Sequence, residues 1–279
     1  MKKIDKSALF LKEHLDLFRC PVCASDFKNV IGNQLICGEN HTYNLSKKGT
    51  IYFLMKPSKT EYSREMLLSR QRIAKMGFWK PMLDVLYPLI NKNNGVTLDA
   101  GCGEGAHSAY LKEKGLKGPV IAFDISKEGI NLGAATYSSP FFVVADLAQS
   151  PFQTSQFDTI LNILSPSNYD EFDRLLKENG RVIKVVPGKN YLTELRSFQT
   201  LSKQTYSNEE VKNKFMEHFK NVENYPVNYT VELTDEEIRD FLKMTPLAWN
   251  IDIPKTKYEK LRRITIDMEI LVGIKTIEE

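Results

Sequence analysis

The chain has 279 residues, 42% of them apolar and 26% charged, with a net charge of +3. That suits one large globular domain plus a small module. It leaves no room for a membrane helix, since no apolar run reaches the ~18–20 residues that span a bilayer. Asp5, Lys6, Lys12, Glu13 and Asp16 interrupt the first seventeen residues, so they cannot form a signal-peptide core and the expected location is the cytoplasm. The charge is uneven. Residues 1–80 hold fifteen Lys and Arg against seven Asp and Glu, a net +8, which leaves −5 for the rest. A basic end suits a polyanionic partner, although a solvated basic face has the same composition.

In chain order, residues 1–17 read as an N-terminal extension with a short amphipathic helix, its apolar positions at Leu9, Phe10, Leu11, Leu15 and Leu17. Residues 18–58 are turn-rich and carry Cys20, Cys23, Cys37 and His41 in a Cys-x2-Cys-x13-Cys-x3-His array. Three thiolates and one imidazole make a closed tetrahedral set, which is the chemistry of a structural zinc ion. Clustered cysteines in a cytosolic chain also favour metal over disulfides. Short alternating runs, such as Thr50–Leu54, give this segment the look of a small β-rich knuckle.

Residues 59–279 read as the second domain, entered through Pro57-Ser58-Lys59 and a helical stretch at 61–76. Strands are expected at 96–100, 119–124, 141–146, 157–164 and 180–187, separated mostly by helices. That alternation implies a parallel, doubly wound α/β sheet. Near the end, 228–233 and the period-two run 264–274 are further strands, with a helix between them opened by Thr234-Asp235-Glu236-Glu237. The first turn of that helix has the form of a capping box. The last strand is expected to close the sheet antiparallel.

The most informative motif is Leu98-Asp99-Ala100-Gly101-Cys102-Gly103-Glu104-Gly105, between a strand and a helix. A doubly wound fold binds its ligand outside the carboxyl end of that first strand. Gly101 and Gly103 let the backbone turn tightly against a ligand. The spacing departs from the dinucleotide signature Gly-x-Gly-x-x-Gly. Asp99 at the loop entrance suits the cationic amino-acid end of S-adenosylmethionine instead. Asp124 ends the second strand, where an acid can accept both ribose hydroxyls. Asp146 ends the third, placed to accept from an adenine amino group while Leu147 offers its backbone N–H.

Across residues 82–190 this pattern resembles the class I methyltransferase signature. With the zinc array, Ser46-Lys47-Lys48-Gly49, Pro187-Gly188, and Met244-Thr245-Pro246-Leu247-Ala248-Trp249, nearly the whole chain after residue 17 resembles the bacterial 23S rRNA guanine-N1 methyltransferases, including the tylosin-resistance type. The resemblance implies a class I S-adenosylmethionine methyltransferase fold, Rossmann-like with an antiparallel C-terminal strand, beside a small zinc-binding domain. It implies methylation of guanine N1 in hairpin 35 of 23S rRNA, an influence on macrolide susceptibility, RNA recognition by the zinc module, and a homodimer. It implies cofactor contacts at Gly103, Glu104, Trp79 and Tyr191. Relatives carry Tyr at the first aromatic place and His at the second, so Trp79 and Tyr191 keep the planar shape with different polar atoms.

Methylating a ring nitrogen that bears a proton calls for a general base within hydrogen-bond reach. The expected place is the end of the fourth strand, Asn162 to Asn168. Ser165-Pro166-Ser167-Asn168 is not the polar-Pro-Pro-aromatic motif of amino methyltransferases, which favours a ring nitrogen over an exocyclic amine. Asp170 and Glu171 are the carboxylate candidates. Trp79, Tyr191 and Phe78 are candidate stacking surfaces for a splayed base, and Phe78 is equally a core residue. Lys47, Lys48, Lys56, Lys59, Arg64, Arg70 and Arg72 supply charge for phosphates. A methyltransferase for a small metabolite or a protein, with the zinc module as a structural cap, is the competing reading. The intact Asp99–Gly105, Asp124 and Asp146 argue against a non-enzymatic module with a relict pocket.

Overall fold

The computed structural model describes residues 1–56, 62–90, 94–199 and 207–276. Helix α1 (Lys3–Glu13) buries Ala8 and Leu11, and its Phe10 stacks on Phe141 with ring centroids 4.7 Å apart. The Lys3 ammonium donates to the carbonyls of Ala134, Ala135 and Tyr137. The N-terminal extension is therefore docked on the large domain, where a cation satisfies carbonyls at the end of a helix.

Strands β1 (Phe27–Ile31), β2 (Gln34–Cys37) and β3 (Thr42–Asn44) form a small antiparallel sheet. Strand β4 (Ile51–Tyr52) leaves it and pairs in parallel with residues 143–144 of the large sheet. The Thr50–Leu54 run thus supplies an edge strand to the neighbouring sheet. Its short length hides this in the sequence, because two residues carry no periodicity.

Next come α2 (Arg64–Lys75), capped by the Ser63 hydroxyl, which accepts from the Met66 N–H, and α3 (Lys80–Leu86). The alternating core follows: β5 (Thr97–Ala100), α4 (Ala106–Glu113), β6 (Val120–Asp124), α5 (Lys127–Thr136), β7 (Phe141–Val144), β8 (Phe157–Ile163), α6 (Tyr169–Leu175) and β9 (Leu176–Pro187). After it lie α7 (Thr193–Arg196), α8 (Glu209–His218), β10 (Val222–Glu232), α9 (Asp235–Met244) and β11 (Arg263–Ile274). The capping box at Thr234 is formed: Glu237 N–H donates to its hydroxyl, and Glu237 Oε2 accepts from its N–H.

The large sheet runs β10-β11-β9-β8-β5-β6-β7-β4. Strands β4 to β9 are parallel, while β11 is antiparallel to both β9 and β10. The last strand therefore lies inside the sheet, and β10 forms the edge. Strands β5, β6 and β7 are buried along their whole length, as parallel strands covered on both faces must be. The chain turns one way from β5 into β6 and β7, and the other way into β8 and β9. That reversal opens a crevice beyond the carboxyl ends of β5 and β8.

Candidate active site

The glycine loop leaves β5 at this crevice. Gly101 and Gly103 have φ of +75° and +60°, a region that costs other L-residues. A Cβ on Gly101 would also lie 2.7 Å from the Ser165 Cβ. At Gly103 the nearest atom to such a Cβ is Arg70 Nε, 3.8 Å away, so this position keeps the loop backbone open to a ligand.

A cavity of about 300 Å³ lies over the loop. Gly101, Gly103, Asp124, Asp146 and Leu147 line it, with Arg70 and Leu164–Pro166. Asp124 accepts from the Gly103 N–H at 2.8 Å and the Ser126 N–H at 2.7 Å. Each carboxylate oxygen thus keeps a free lone-pair direction. Burial raises its pKa, and the Ser126 and Gly103 N–H groups oppose that rise. Asp146 accepts from the Ala148 N–H at 2.9 Å.

Asp99 and Glu104 sit behind the loop, each 1% exposed, and do not line the cavity. Burial pushes the Asp99 carboxyl up to about 7 and raises Glu104 as well. Arg70 Nε lies 3.1 Å from Glu104 Oε2, yet both atoms, with Asp99 Oδ2, lack a hydrogen-bond partner among the described residues. Proximity without alignment leaves a half-buried cation and two buried acids under-satisfied, which is costly where water is excluded. It is also the complement of a zwitterion, with a cation for a carboxylate and acids for an ammonium. Arg70 was expected on the RNA-facing surface; the structure turns it into the crevice. Arg72, expected there too, is tied to Asp240. Lys59 lies outside the described residues.

A second cavity of about 530 Å³ adjoins the first and shares Tyr62, Met66, Arg70 and Leu164–Pro166 with it. Trp79 and Tyr191 line this one, as do Tyr169 and Met244–Leu247 of the Met-Thr-Pro-x-Ala-Trp string. The Arg70 guanidinium carbon lies 5.2 Å from the Trp79 ring centroid. Phe78 is fully buried and packs against Trp79 and Phe241, so it stacks within the core.

Neither carboxylate candidate reaches this cavity. Glu171 is held in the Arg174 fork at 2.7 and 2.8 Å, and Asp170 faces a separate recess beside His218. What reaches it is Lys184 of β9, only 4% exposed. Its Nζ donates to Asn162 Oδ1 at 2.6 Å and to Ser167 Oγ at 2.7 Å. The Asn162 amide in turn donates to Ser165 Oγ at 2.7 Å and the Pro166 carbonyl at 2.9 Å. Arg70 and Lys184 are the groups that motif reading missed as parts of the crevice. The available signal was a lysine inside the apolar run Val182–Val186, a position that burial disfavours unless it is used.

At the other site, the four ligand atoms of Cys20, Cys23, Cys37 and His41 lie within 4.8 Å of one another. Cys23 Sγ is 3.7 Å from Cys37 Sγ, and His41 Nδ1 is 3.6 Å from Cys20 Sγ and 3.5 Å from Cys37 Sγ. A tetrahedral ion with zinc-like bond lengths sets its ligands about 3.5–3.8 Å apart, so the cluster fits zinc. Ser25 Oγ at 3.0 Å from Cys23 Sγ and the His41 N–H at 3.3 Å from Cys37 Sγ support the ligands from outside.

A family model described as a methyltransferase domain matches residues 98–186. The Bacillus subtilis (strain 168) protein YxjB, provisionally named a 23S rRNA (guanine-N1)-methyltransferase, is 39% identical over 93% of this chain and 97% of its own. The chain belongs to the 23S rRNA (guanine-N1)-methyltransferase family. The Streptomyces fradiae 23S rRNA (guanine(748)-N1)-methyltransferase is 24% identical over 84% of this chain and 86% of its own. A Haemonchus contortus phosphoethanolamine N-methyltransferase solved with S-adenosyl-L-methionine matches the fold with a TM-score of 0.51 at 15% identity, over 78% of this chain and 59% of that one. This methyltransferase therefore has the class I architecture and uses S-adenosylmethionine. The Cys3His cluster near its N-terminus is compatible with structural zinc.

Proposed function

We propose that this methyltransferase modifies N1 of a guanine in hairpin 35 of 23S rRNA, with a consequence for macrolide susceptibility. The observation that supports this best is the second cavity. It opens directly onto the cofactor cavity, has aromatic walls, and lies in the size range of small-ligand pockets. A flipped guanine entering it stacks on Trp79 or Tyr191, beside the Leu164–Pro166 loop that both cavities share.

S-adenosylmethionine supplies an electrophilic methyl group. Asp124 accepts from its ribose hydroxyls, and Asp146 with the Leu147 N–H meets the adenine edge. Arg70 takes the methionine carboxylate, and Glu104 and Asp99 balance the ammonium beyond the Gly101–Gly103 loop. Trp79 and Tyr191 close the methionine end. Positioning of this kind supplies up to roughly 7–11 kcal/mol in favourable cases. Cys20, Cys23, Cys37 and His41 hold zinc with no open coordination position, so the ion has a structural role. Lys47, Lys48, Lys56 and Arg64 meet RNA phosphates.

The reading includes a homodimer, work in the cytoplasm, and a division into residues 1–17, 18–58 and 59–279. No helix among the described residues is long and apolar enough to cross a membrane. The test is incubation with unmodified 23S rRNA and cofactor, followed by primer extension. N1 methylation blocks Watson–Crick pairing, so reverse transcriptase stops beside the guanine; no stop removes the proposal. Binding of hairpin RNA that is absent even at low salt points to a metabolite or protein substrate instead. Sedimentation equilibrium checks the dimer.

A further inference from the structure

Among the described residues, the wall of the second cavity holds no carboxylate and no histidine, yet a ring nitrogen such as guanine N1 must lose a proton to be methylated. The titratable groups of the described residues on that wall are Arg70 from α2, Lys184 from β9, Lys214 from α8, and the phenols of Tyr62, Tyr169 and Tyr191. The Arg70 guanidinium presents N–H donors and no acceptor. Burial pushes the Tyr191 phenol up to about 12 and raises Tyr169 too, so both are held in the neutral, proton-bearing form. On β11, the nearest acid in register is Glu269, opposite Val186, and it is taken up by Asn208, Lys212 and Asn224.

Lys184 is different from the other described lysines. It is buried, makes no ion pair among the described residues, and shares its cavity with two other cations. Its two short hydrogen bonds go to Asn162 Oδ1 and Ser167 Oγ, which the two N–H bonds of an uncharged amine can supply; the Ser165 carbonyl, a third acceptor at 3.4 Å, can take the extra N–H of the protonated amine. The Ser167 hydroxyl itself donates to Asn162 Oδ1 at 2.8 Å, so its oxygen is free to accept. The same network fixes the Ser165–Ser167 loop that borders the cofactor cavity.

We infer that Lys184, oriented by Asn162 and Ser167, is the general base that removes the N1 proton of the target guanine. This rests on the guanine-N1 reading above. The N1–H bond breaks and the proton passes to Nζ. The electron pair left on N1 forms the new bond to the methyl carbon, while the carbon–sulfur pair returns to sulfur. The lysine then gives its proton to water and is ready again. Burial supports the assignment by bringing the Lys184 amine down to about 8, close to working pH, where a base is most effective.

The test uses the full-length protein and unmodified 23S rRNA. K184M is expected to slow single-turnover methylation at least ~100-fold, the lower range for loss of a general base, while equilibrium dialysis shows S-adenosylmethionine binding within about threefold of wild type. Small primary amines added to K184A restore rate in order of their basicity, an outcome that a purely structural lysine does not produce. Independently of activity, competitive acetylation of wild type across pH, read by mass spectrometry, shows Lys184 titrating near 8, well below the surface lysines. Methylation by K184M within threefold of wild type overturns the assignment, as does Lys184 titrating with the surface lysines. Absence of a primer-extension stop with wild type is a separate result and strikes the guanine-N1 reading itself.

Discussion

Asp124→Asn is the sharpest probe of the cofactor site. In the wild type both carboxylate oxygens accept, one from Gly103 N–H and one from Ser126 N–H. An amide can satisfy only one of those donors, because its nitrogen turns another N–H toward the second. Hydrogen bonds to a charged group contribute about 1.5–3 kcal/mol each, and a stranded buried donor costs about 1–3 kcal/mol. The folded protein should therefore lose about 1–3 kcal/mol of stability. Weakened hydrogen bonds to the ribose hydroxyls, worth about 1.5–3 kcal/mol in all, should raise the dissociation constant for S-adenosylmethionine about 10- to 150-fold. Equilibrium dialysis and a urea melt on the same preparation measure both quantities. Unchanged affinity in D124N would refute the placement of the ribose at Asp124, whatever the melt shows.

Three further outcomes follow from the same geometry. Cys37→Ser should remove one equivalent of zinc per chain, read by emission spectroscopy, and weaken hairpin RNA binding while S-adenosylmethionine binding persists; wild type purified without zinc contradicts it. Burial raises the folded-state pKa of Asp99 to about 7, above its unfolded value of about 3.9. The protonated form is thus favoured by folding, and that stabilisation is complete below pH ~4 and lost as pH rises toward about 7. Asp99→Asn should flatten the loss of stability over this interval in cofactor-free protein, and an unaltered pH–stability curve counts against it. Leu11→Ala empties a fully buried site under α1 and should cost about 2–5 kcal/mol; a melt within ~0.5 kcal/mol of wild type means that α1 is not packed on the core.

The sequence by itself determined the local chemistry. The Cys20–His41 spacing, the glycine turn after β5, the acid ending β6 and the acid just beyond β7 are each set by a few neighbouring residues. Their meaning depends on distances along the chain, which a sequence displays directly. The alternation of strands and helices likewise determined a parallel sheet, because only buried parallel strands sustain such apolar runs.

Only the tertiary structure decided what converges at the crevice. Arg70 reads as one more surface cation on an amphipathic helix until α2 is laid over the glycine loop, where Glu104 and Trp79 face it. Lys184 reads as an interruption in an apolar strand until β8 is placed beside β9, bringing Asn162 and Ser167 to its amine. Strand β4 and helix α1 read as parts of an N-terminal module until Val143 and Phe141 receive them. Each of these pairings joins residues far apart in the chain. Strand order and helix packing fix such meetings, and neither leaves a periodic trace in the residues that meet.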